Sequence, residues 1–348
     1  MKHTHLHTRL LALLLCCALV LPLSACGEAK STTQQIFAMD TVMDLTAYGK
    51  KADDGINAAI SIINSMDKLL DPENEHSKTY EINHAMGSPV VVNEQIAKML
   101  RTAMTVYERS NSAFDLTTYP LSKLWGFIDQ NYRVPSDAEI ERLLPCVDMS
   151  KVQLSATDDS ANSLVTMPAD MALSFGAVAK GCASEYAIQA MRAAGVTSGV
   201  VSLGGNVQTL GKKPDGSDWN IAIQDPNDTG SYLGYLTVGE TAVITSGSYQ
   251  RYFTEGGQKY HHILSPSTGR PVNNGLLSVT IVCEDGTLAD CLSTAMFVLG
   301  PQAALNYWRT YGGFEMLLVR TDGHVVITNG LYGQFTPNGD SYVVDYAS

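Results

Sequence analysis

Basic side chains are scarce in this 348-residue chain: 23 Lys and Arg stand against 35 Asp and Glu, a formal charge of −12. Such a surface disfavours nucleic acid, and no basic track interrupts it. An anionic ligand would need locally focused donors or a cation, because the overall field supplies neither. No CxxC occurs among the seven cysteines, so spacing makes no case for a disulfide. No GxGxxG opens a helix after a first strand, which argues against a doubly wound nucleotide fold. Repeats and low-complexity tracts are absent as well. The one long apolar run, Leu10 to Leu23, is too short for a membrane span.

That run follows Lys2 and Arg9 and reads as a secretory signal. It ends at Leu23-Ser24-Ala25-Cys26, which resembles the processing box of bacterial lipoproteins, where the cysteine is lipidated and becomes the first residue. Residues 1–25 are then a signal peptide, 26–35 a polar tether and 36–348 the folded domain. The protein is expected to be exported and held at the outer side of the cytoplasmic membrane or in the periplasm by lipid on Cys26. Processing would leave 323 residues and a formal charge of −14, enough chain for a large core and two subdomains. Cys146, Cys182, Cys283 and Cys291 remain and read as free thiols, Cys182 and Cys291 on apolar helix faces.

Residues Gln35 to Gly49 have an extended pattern. Ile56, Ile60, Ile63 and Leu70 recur at helical spacing within Asp53 to Leu70, and a second amphipathic helix covers Asn93 to Asn111. The polar stretch Asp71 to Pro89 is long for a connection and reads as a binding or mobile loop. Ser136 with Glu139 forms a capping box. A helix is expected over Gly176 to Ala194, another over Leu288 to Leu299, and a third from Pro301. Strand patterns recur at Gly199–Leu203, Trp219–Ile223, Leu233–Val238 and Leu277–Cys283. A hairpin turns at Asp322-Gly323. Strands and helices mix without βαβ spacing, so the fold class is α+β with largely antiparallel sheet.

Several stretches carry chemistry. His261-His262 opens a loop through Ser265-Pro266-Ser267-Thr268-Gly269-Arg270-Pro271, which can continue neither a helix nor a central strand. It places an imidazole, a hydroxyl and a guanidinium at fixed positions. Asp290 and Thr294 stand at i and i+4, so a helix puts carboxylate and hydroxyl on one face. Two oxygen donors without a thiolate suit Mg²⁺, which keeps waters or phosphates in its shell. The plainer alternative is a helix in which Asp290 caps and Thr294 bonds back to the chain. Lys180 lies among small residues, Ala177, Ala179 and Gly181, that permit close approach of a ligand. Gly204-Gly205-Asn206 forms a turn after a strand. His262 has the pKa range of a general base and His261 reads as structural, a division that sequence alone leaves open because neighbours in an extended loop point in opposite directions.

Taken together, Ala38-Met39-Asp40-Thr41, Phe114-Asp115 with Pro120-Leu121, Gly176 to Gly181, Gly204-Gly205-Asn206, His262 to Pro271, and Ala289-Asp290 with Thr294 resemble the FAD:protein FMN transferases, the ApbE-like flavin transferases. The resemblance covers nearly all of the processed chain. It implies an ApbE-like, T-fold-related architecture. It also implies Mg²⁺-dependent cleavage of FAD, transfer of FMN through a phosphoester to a Thr or Ser hydroxyl of a partner protein, and release of AMP. The partner would carry a Ser-Gly-Ala-Thr-like motif, on a membrane redox subunit or an extracellular flavoprotein. By the same resemblance the Ala177 carbonyl joins Asp290 and Thr294 as a metal ligand. Asp290 also orients the nucleophile through the metal. Met39, Phe114, Asp115 and Leu116 line the cofactor, for which core packing and a turn cap are the plainer readings of Phe114 and Asp115. Lys180 contacts a phosphate or the flavin side. Ser174 stands where the family commonly has a carboxylate, which keeps a hydrogen bond but not the charge. Gly205 belongs to the family's glycine turn, Ile263 covers part of the cofactor, and Thr268 lies close to the diphosphate. Tyr80, in the polar loop, could stack on a ring. Two other activities use the same residues or fewer: an FAD diphosphatase giving FMN and AMP, and a flavin-binding lipoprotein without chemistry.

Overall fold

The computed structural model describes residues 30–159 and 161–347, so the signal segment and Cys26 lie outside the described residues. In chain order the elements are β1 (Ser31–Ala38), β2 (Thr41–Tyr48), α1 (Ala52–Leu70), α2 (Lys78–Asn83), β3 (Val90–Asn93), α3 (Glu94–Arg109), α4 (Tyr119–Leu124) and α5 (Asp137–Leu143). Then come β4 (Gln153–Ala156), β5 (Asn162–Thr166), α6 (Ala179–Ala193), β6 (Gly199–Leu203), β7 (Asn206–Leu210), β8 (Trp219–Gln224), β9 (Tyr232–Val238) and β10 (Ala242–Gly247). The chain closes with β11 (Tyr252–Glu255), β12 (Gln258–His261), β13 (Leu276–Cys283), α7 (Gly286–Leu299), α8 (Pro301–Tyr311), β14 (Glu315–Arg320), β15 (His324–Thr328), β16 (Phe335–Pro337) and β17 (Val343–Ala347).

Nine strands form one sheet in the order β1-β2-β6-β7-β10-β13-β14-β15-β17. Every neighbouring pair is antiparallel except β15 with β17. Strand side chains alternate between faces, and both faces of this sheet are covered. In β14, Met316 and Leu318 join the core under the helices, whereas Leu317 and Val319 join the core under the small sheet β16-β9-β8. β13 keeps this partition by a register shift between Leu276 and Ser278, so that Leu276, Val279 and Ile281 all reach the helix side. The long helices therefore sit on one face, a three-stranded sheet sits on the other, and the mixed α+β fold expected from the pattern is what forms.

On the helix side, α1 presents Ile56, Ala59, Ile63 and Met66, a single apolar stripe, to β1, β2 and α6. α6 and α7 approach unusually closely because each offers glycine at the contact. A Cβ on Gly181 would stand 2.1 Å from the Gly286 carbonyl oxygen, and one on Gly286 would stand 2.7 Å from that of Gly181. The two helices cross where neither has a side chain. A third cluster, Leu121, Trp125, Phe127, Ile140 and Leu264, ties α4 and α5 to the loop after β12. There Trp125 Nε1 donates to the Gly269 carbonyl at 2.8 Å.

Four sequence expectations change. β1 begins at Ser31, inside the stretch read as tether, because its residues pair along the whole of β2. The described residues from Ser31 onward form one compact unit rather than two subdomains, since the helix-side core runs through sequence from Ala38 to Ala347. The polar stretch after Leu70 is not a free loop. Ser77 caps α2 by accepting from Tyr80 N at 3.0 Å, and the Asn83 amide exchanges two 2.9 Å bonds with the Leu173 backbone. The helix expected from Gly176 starts at Ala179. The four cysteines among the described residues are free, and all but Cys146 are buried.

The glycine crossing yields a test. Gly181→Ala should force α6 and α7 apart and destabilise the protein by about 2–3 kcal/mol, the upper range for overpacking against backbone. Urea unfolding of the variant beside wild type measures this, and a loss under about 0.5 kcal/mol would mean that the helices can part freely.

Candidate active site

A cleft of about 800 Å³ opens at the strand ends where the turns, α6, α7 and the loop after β12 converge. Two hairpin turns form part of its wall. In the β6–β7 turn, Gly204 and Gly205 both have positive φ, the geometry that joins antiparallel strands in two residues. A Cβ on Gly204 would meet Thr41 Oγ1 at 2.4 Å, so this turn is pressed against the β1–β2 turn. That second turn uses Met39 and Asp40 at φ 48° and 57°, where glycine would be at ease and these residues are strained. Asp67 of α1 holds it by accepting from Met39 N at 2.8 Å. Met39, Gly205 and Asn206 all line the cleft.

The crossing of α6 and α7 builds the polar floor. Asp290 is buried, and its Oδ2 accepts from Gly181 N at 2.8 Å. Four residues before Gly181 is Ala177, whose carbonyl a continuous helix would pair with that same N–H. Burial raises the Asp290 carboxyl above its usual range, against the opposing pull of the Lys180 charge and the Gly181 N–H. Lys180, Ala177 and Thr294 line the cleft beside it. The expectation that Gly181 admits a ligand is corrected: the space it leaves is filled by α7.

The adjacent histidines separate by direction. His261 is buried, with Nε2 2.7 Å from the Val272 carbonyl and Nδ1 accepting from Ile263 N at 3.3 Å. Both ring nitrogens are spent. His262 faces the cleft, with Nδ1 3.1 Å from the Arg251 carbonyl. A carbonyl only accepts, so Nδ1 carries the proton and Nε2 keeps a free lone pair. Burial, with the Arg251 charge next to it, pushes this imidazole down to about 3, so it is neutral near pH 7. Ile263 lies beside it in the lining.

Not every candidate fits. Tyr80 is on α2 and stacks on His84 with ring centroids 3.8 Å apart, and it is not among the residues lining the cleft. Thr268 is absent from the lining, and its hydroxyl accepts from Arg270 N within the loop at 3.3 Å. Arg270 pairs with Asp137 outside the cleft, while Arg251, unremarked in the sequence, is the guanidinium in the lining. Phe114, Asp115 and Leu116 do line the cleft, but as wall. Phe114 is core, and the Asp115 carboxylate is used up by Thr117 N at 2.7 Å, the Thr117 hydroxyl and Met149 N at 3.0 Å. Ser174 also lines the cleft, its hydroxyl accepting from Gly176 N at 3.1 Å. Ser202, Thr245, Ser246, Tyr249 and Gln250 also line the cleft, without any local motif to reveal them.

Whether a divalent cation fits can be judged from the donors. Among the described residues no group of three or more His, Cys, Asp and Glu could hold a metal. The candidate set is the Asp290 carboxylate, the Thr294 hydroxyl and the Ala177 carbonyl, whose usual helical partner is turned to Asp290. An oxygen-only, under-filled set of this kind suits Mg²⁺, whose shell is completed by waters and phosphates. The fold and this cleft define an α+β protein whose large cleft brings a lysine, a buried carboxylate and a neutral imidazole together.

The sequence profile of the ApbE family matches residues 39–318. The FAD:protein FMN transferase of Klebsiella pneumoniae (strain 342) is 31% identical over 285 residues, 81% of this chain and 87% of that protein. That of Treponema pallidum (strain Nichols) is 29% identical over 326 residues, 88% and 90% of the two chains. In three dimensions the ApbE protein of Thermotoga maritima MSB8 superposes with a TM-score of 0.81 at 30% identity, covering 88% of this chain and all of that one. The chain belongs to the ApbE family.

The depressed His262 basicity predicts a pH effect on stability. Unfolded, the imidazole titrates near 6.5. Folded, it binds a proton only near 3, so the unfolded state holds more protons between these values and stability falls as pH drops through the window. His262→Gln removes that contribution. Between pH 7 and 5 the wild type should lose about 1–2 kcal/mol more than the variant, from about 1.4 kcal/mol per pH unit discounted for partial solvation. Urea unfolding of both proteins at pH 7, 6 and 5 reads this directly; parallel losses would mean that the imidazole titrates normally in the fold.

Proposed function

We propose that this protein is a Mg²⁺-dependent FAD:protein FMN transferase that moves FMN from FAD to a Thr or Ser hydroxyl of a partner protein. The observation that carries the reading is His262, with Nδ1 bound to the Arg251 carbonyl and Nε2 free in the same cleft as Lys180, Asp290 and Thr294. Its curated relatives bear the transferase name at about 30% identity over most of both chains.

The chemistry follows from these groups. The acceptor hydroxyl attacks the phosphorus on the FMN side of the diphosphate. The bond from that phosphorus to the bridging oxygen breaks, and AMP leaves with that oxygen. The hydroxyl proton passes to His262 Nε2, a proton acceptor already neutral and oriented. Lys180 balances charge on the diphosphate. Asp290, Thr294 and the Ala177 carbonyl would hold Mg²⁺, which draws charge off the phosphates when bound. The wall of Met39, Phe114 and Leu116 gives the flavin or adenine an apolar surface, and Ile263 covers part of it.

The partner would present a Ser-Gly-Ala-Thr-like segment at the cleft, and the enzyme would meet it outside the cytoplasmic membrane, anchored by lipid on Cys26. Acylated Cys26 should appear as the N-terminal residue by mass spectrometry of detergent-extracted protein, and Cys26→Ser should move the protein to the soluble fraction. A soluble wild type starting at another residue would sink the anchor.

The catalytic reading is tested on the histidine pair. His262→Ala should bind FAD nearly as wild type yet transfer FMN about two to four orders of magnitude more slowly, the usual worth of a positioned base. His261→Ala should instead cost stability, because the Val272 carbonyl loses its buried partner, by about 1–3 kcal/mol. In-gel flavin fluorescence of the acceptor, AMP release and FAD titration separate these outcomes. EDTA should stop labelling and Mg²⁺ restore it. Rapid AMP release without acceptor would make the enzyme an FAD diphosphatase, and full transfer by His262→Ala would remove the base.

A further inference from the structure

Three hydroxyls beside the polar floor form a chain whose direction can be read. Ser293 Oγ is 2.9 Å from the carbonyl oxygen of Asp290, which only accepts, so the Ser293 proton is committed there. Ser246 Oγ lies 2.8 Å from Ser293 Oγ. Ser293 has no proton left to give, so Ser246 donates. Ser246 Oγ also lies 3.2 Å from Thr294 Oγ1, and with its own proton spent it can only accept. Thr294 therefore donates to Ser246. Its lone pairs are left for the cleft, which both Ser246 and Thr294 line.

We propose that Ser246 and Ser293 are positioning residues that fix the polarity of the Thr294 hydroxyl, making it an electron-pair donor toward a divalent cation. This rests on the cation reading of Asp290 and Thr294 given above. A free threonine hydroxyl one helical turn from a buried carboxylate would turn its proton toward that carboxylate. Such a bond would fill with a proton the space between the two donors and occupy an oxygen of each. The chain prevents it by giving the proton another acceptor. It is anchored at the backbone of the same residue that supplies the carboxylate, so both donors are referred to one turn of α7. β10 brings Ser246 to that turn by alternation: Ile244 joins the core under the helices, and Ser246, two residues on, reaches the same side. No local signal in Ile244-Thr245-Ser246-Gly247 announces this role.

The test is binding of Mn²⁺ alone, followed by the EPR signal of the free ion, which needs no turnover. Ser246→Ala should weaken Mn²⁺ binding about tenfold, the scale of a lost supporting partner. Ser293→Ala should weaken it as well, although Ser293 does not touch Thr294, because Ser246 could then turn its proton onto the Thr294 oxygen. In a Thr294→Val background neither change should weaken binding further. Thermal unfolding of each variant reports folding separately. Unchanged affinity in Ser246→Ala overturns the proposal, and so does an equal loss in both backgrounds, which would mark a packing role. A wild type that binds no Mn²⁺ overturns the cation reading beneath it.

Discussion

The site depends on one contact between two helices. Gly181 and Gly286 let α6 and α7 touch backbone to backbone, and at that distance the Gly181 N–H reaches the Asp290 carboxylate. One hydrogen bond then has three effects. It partly compensates a buried carboxylate, it draws away the amide that would occupy the Ala177 carbonyl, and it holds Lys180 beside the acid as the preceding residue on α6. A side chain at either glycine would separate all three groups together.

The second constraint is the strand-to-loop transition at His261-His262. Successive residues of a strand point to opposite sides, so two identical side chains receive opposite environments. The inner ring is consumed by Val272 and Ile263, and the outer ring keeps one nitrogen free. The loop beyond is not held by its own turn chemistry alone. Trp125 reaches it from α4, and Leu264 inserts among Leu121, Phe127 and Ile140. Residues far apart in sequence thus hold the loop that carries the imidazole.

Hydroxyl groups take a large part in satisfying the polar groups around the cleft. Asp115 is satisfied by a threonine and two backbone amides, and the chain through Ser246, Ser293 and Thr294 ends on a carbonyl. In a protein of strong negative charge this is physically apt. Few cations are available to pair with buried acids, so backbone N–H groups and hydroxyls share the compensation with Lys180.

Much was legible without coordinates. The period-3.6 stripes of α1 and α3, the capping box of α5, the hairpin at Asp322-Gly323 and the i, i+4 relation of Asp290 and Thr294 are local, and local periodicity determines them. So did the ordered blocks that resembled the family. What the sequence could not decide was which surface each residue would meet. Tyr80 and Thr268 have the right chemistry but are turned to His84 and Arg270. Arg251 and Ser246 have no motif, yet strand pairing carries them into the cleft. The division of labour between His261 and His262, the use of Gly181 for a helix and not a ligand, and the direction of the hydroxyl chain are all set by contacts between distant segments. Sequence pattern specifies which face of an element is apolar; only the packed structure specifies what that face touches, because hydrogen-bond partners such as Trp125 and Gly269 stand 144 residues apart.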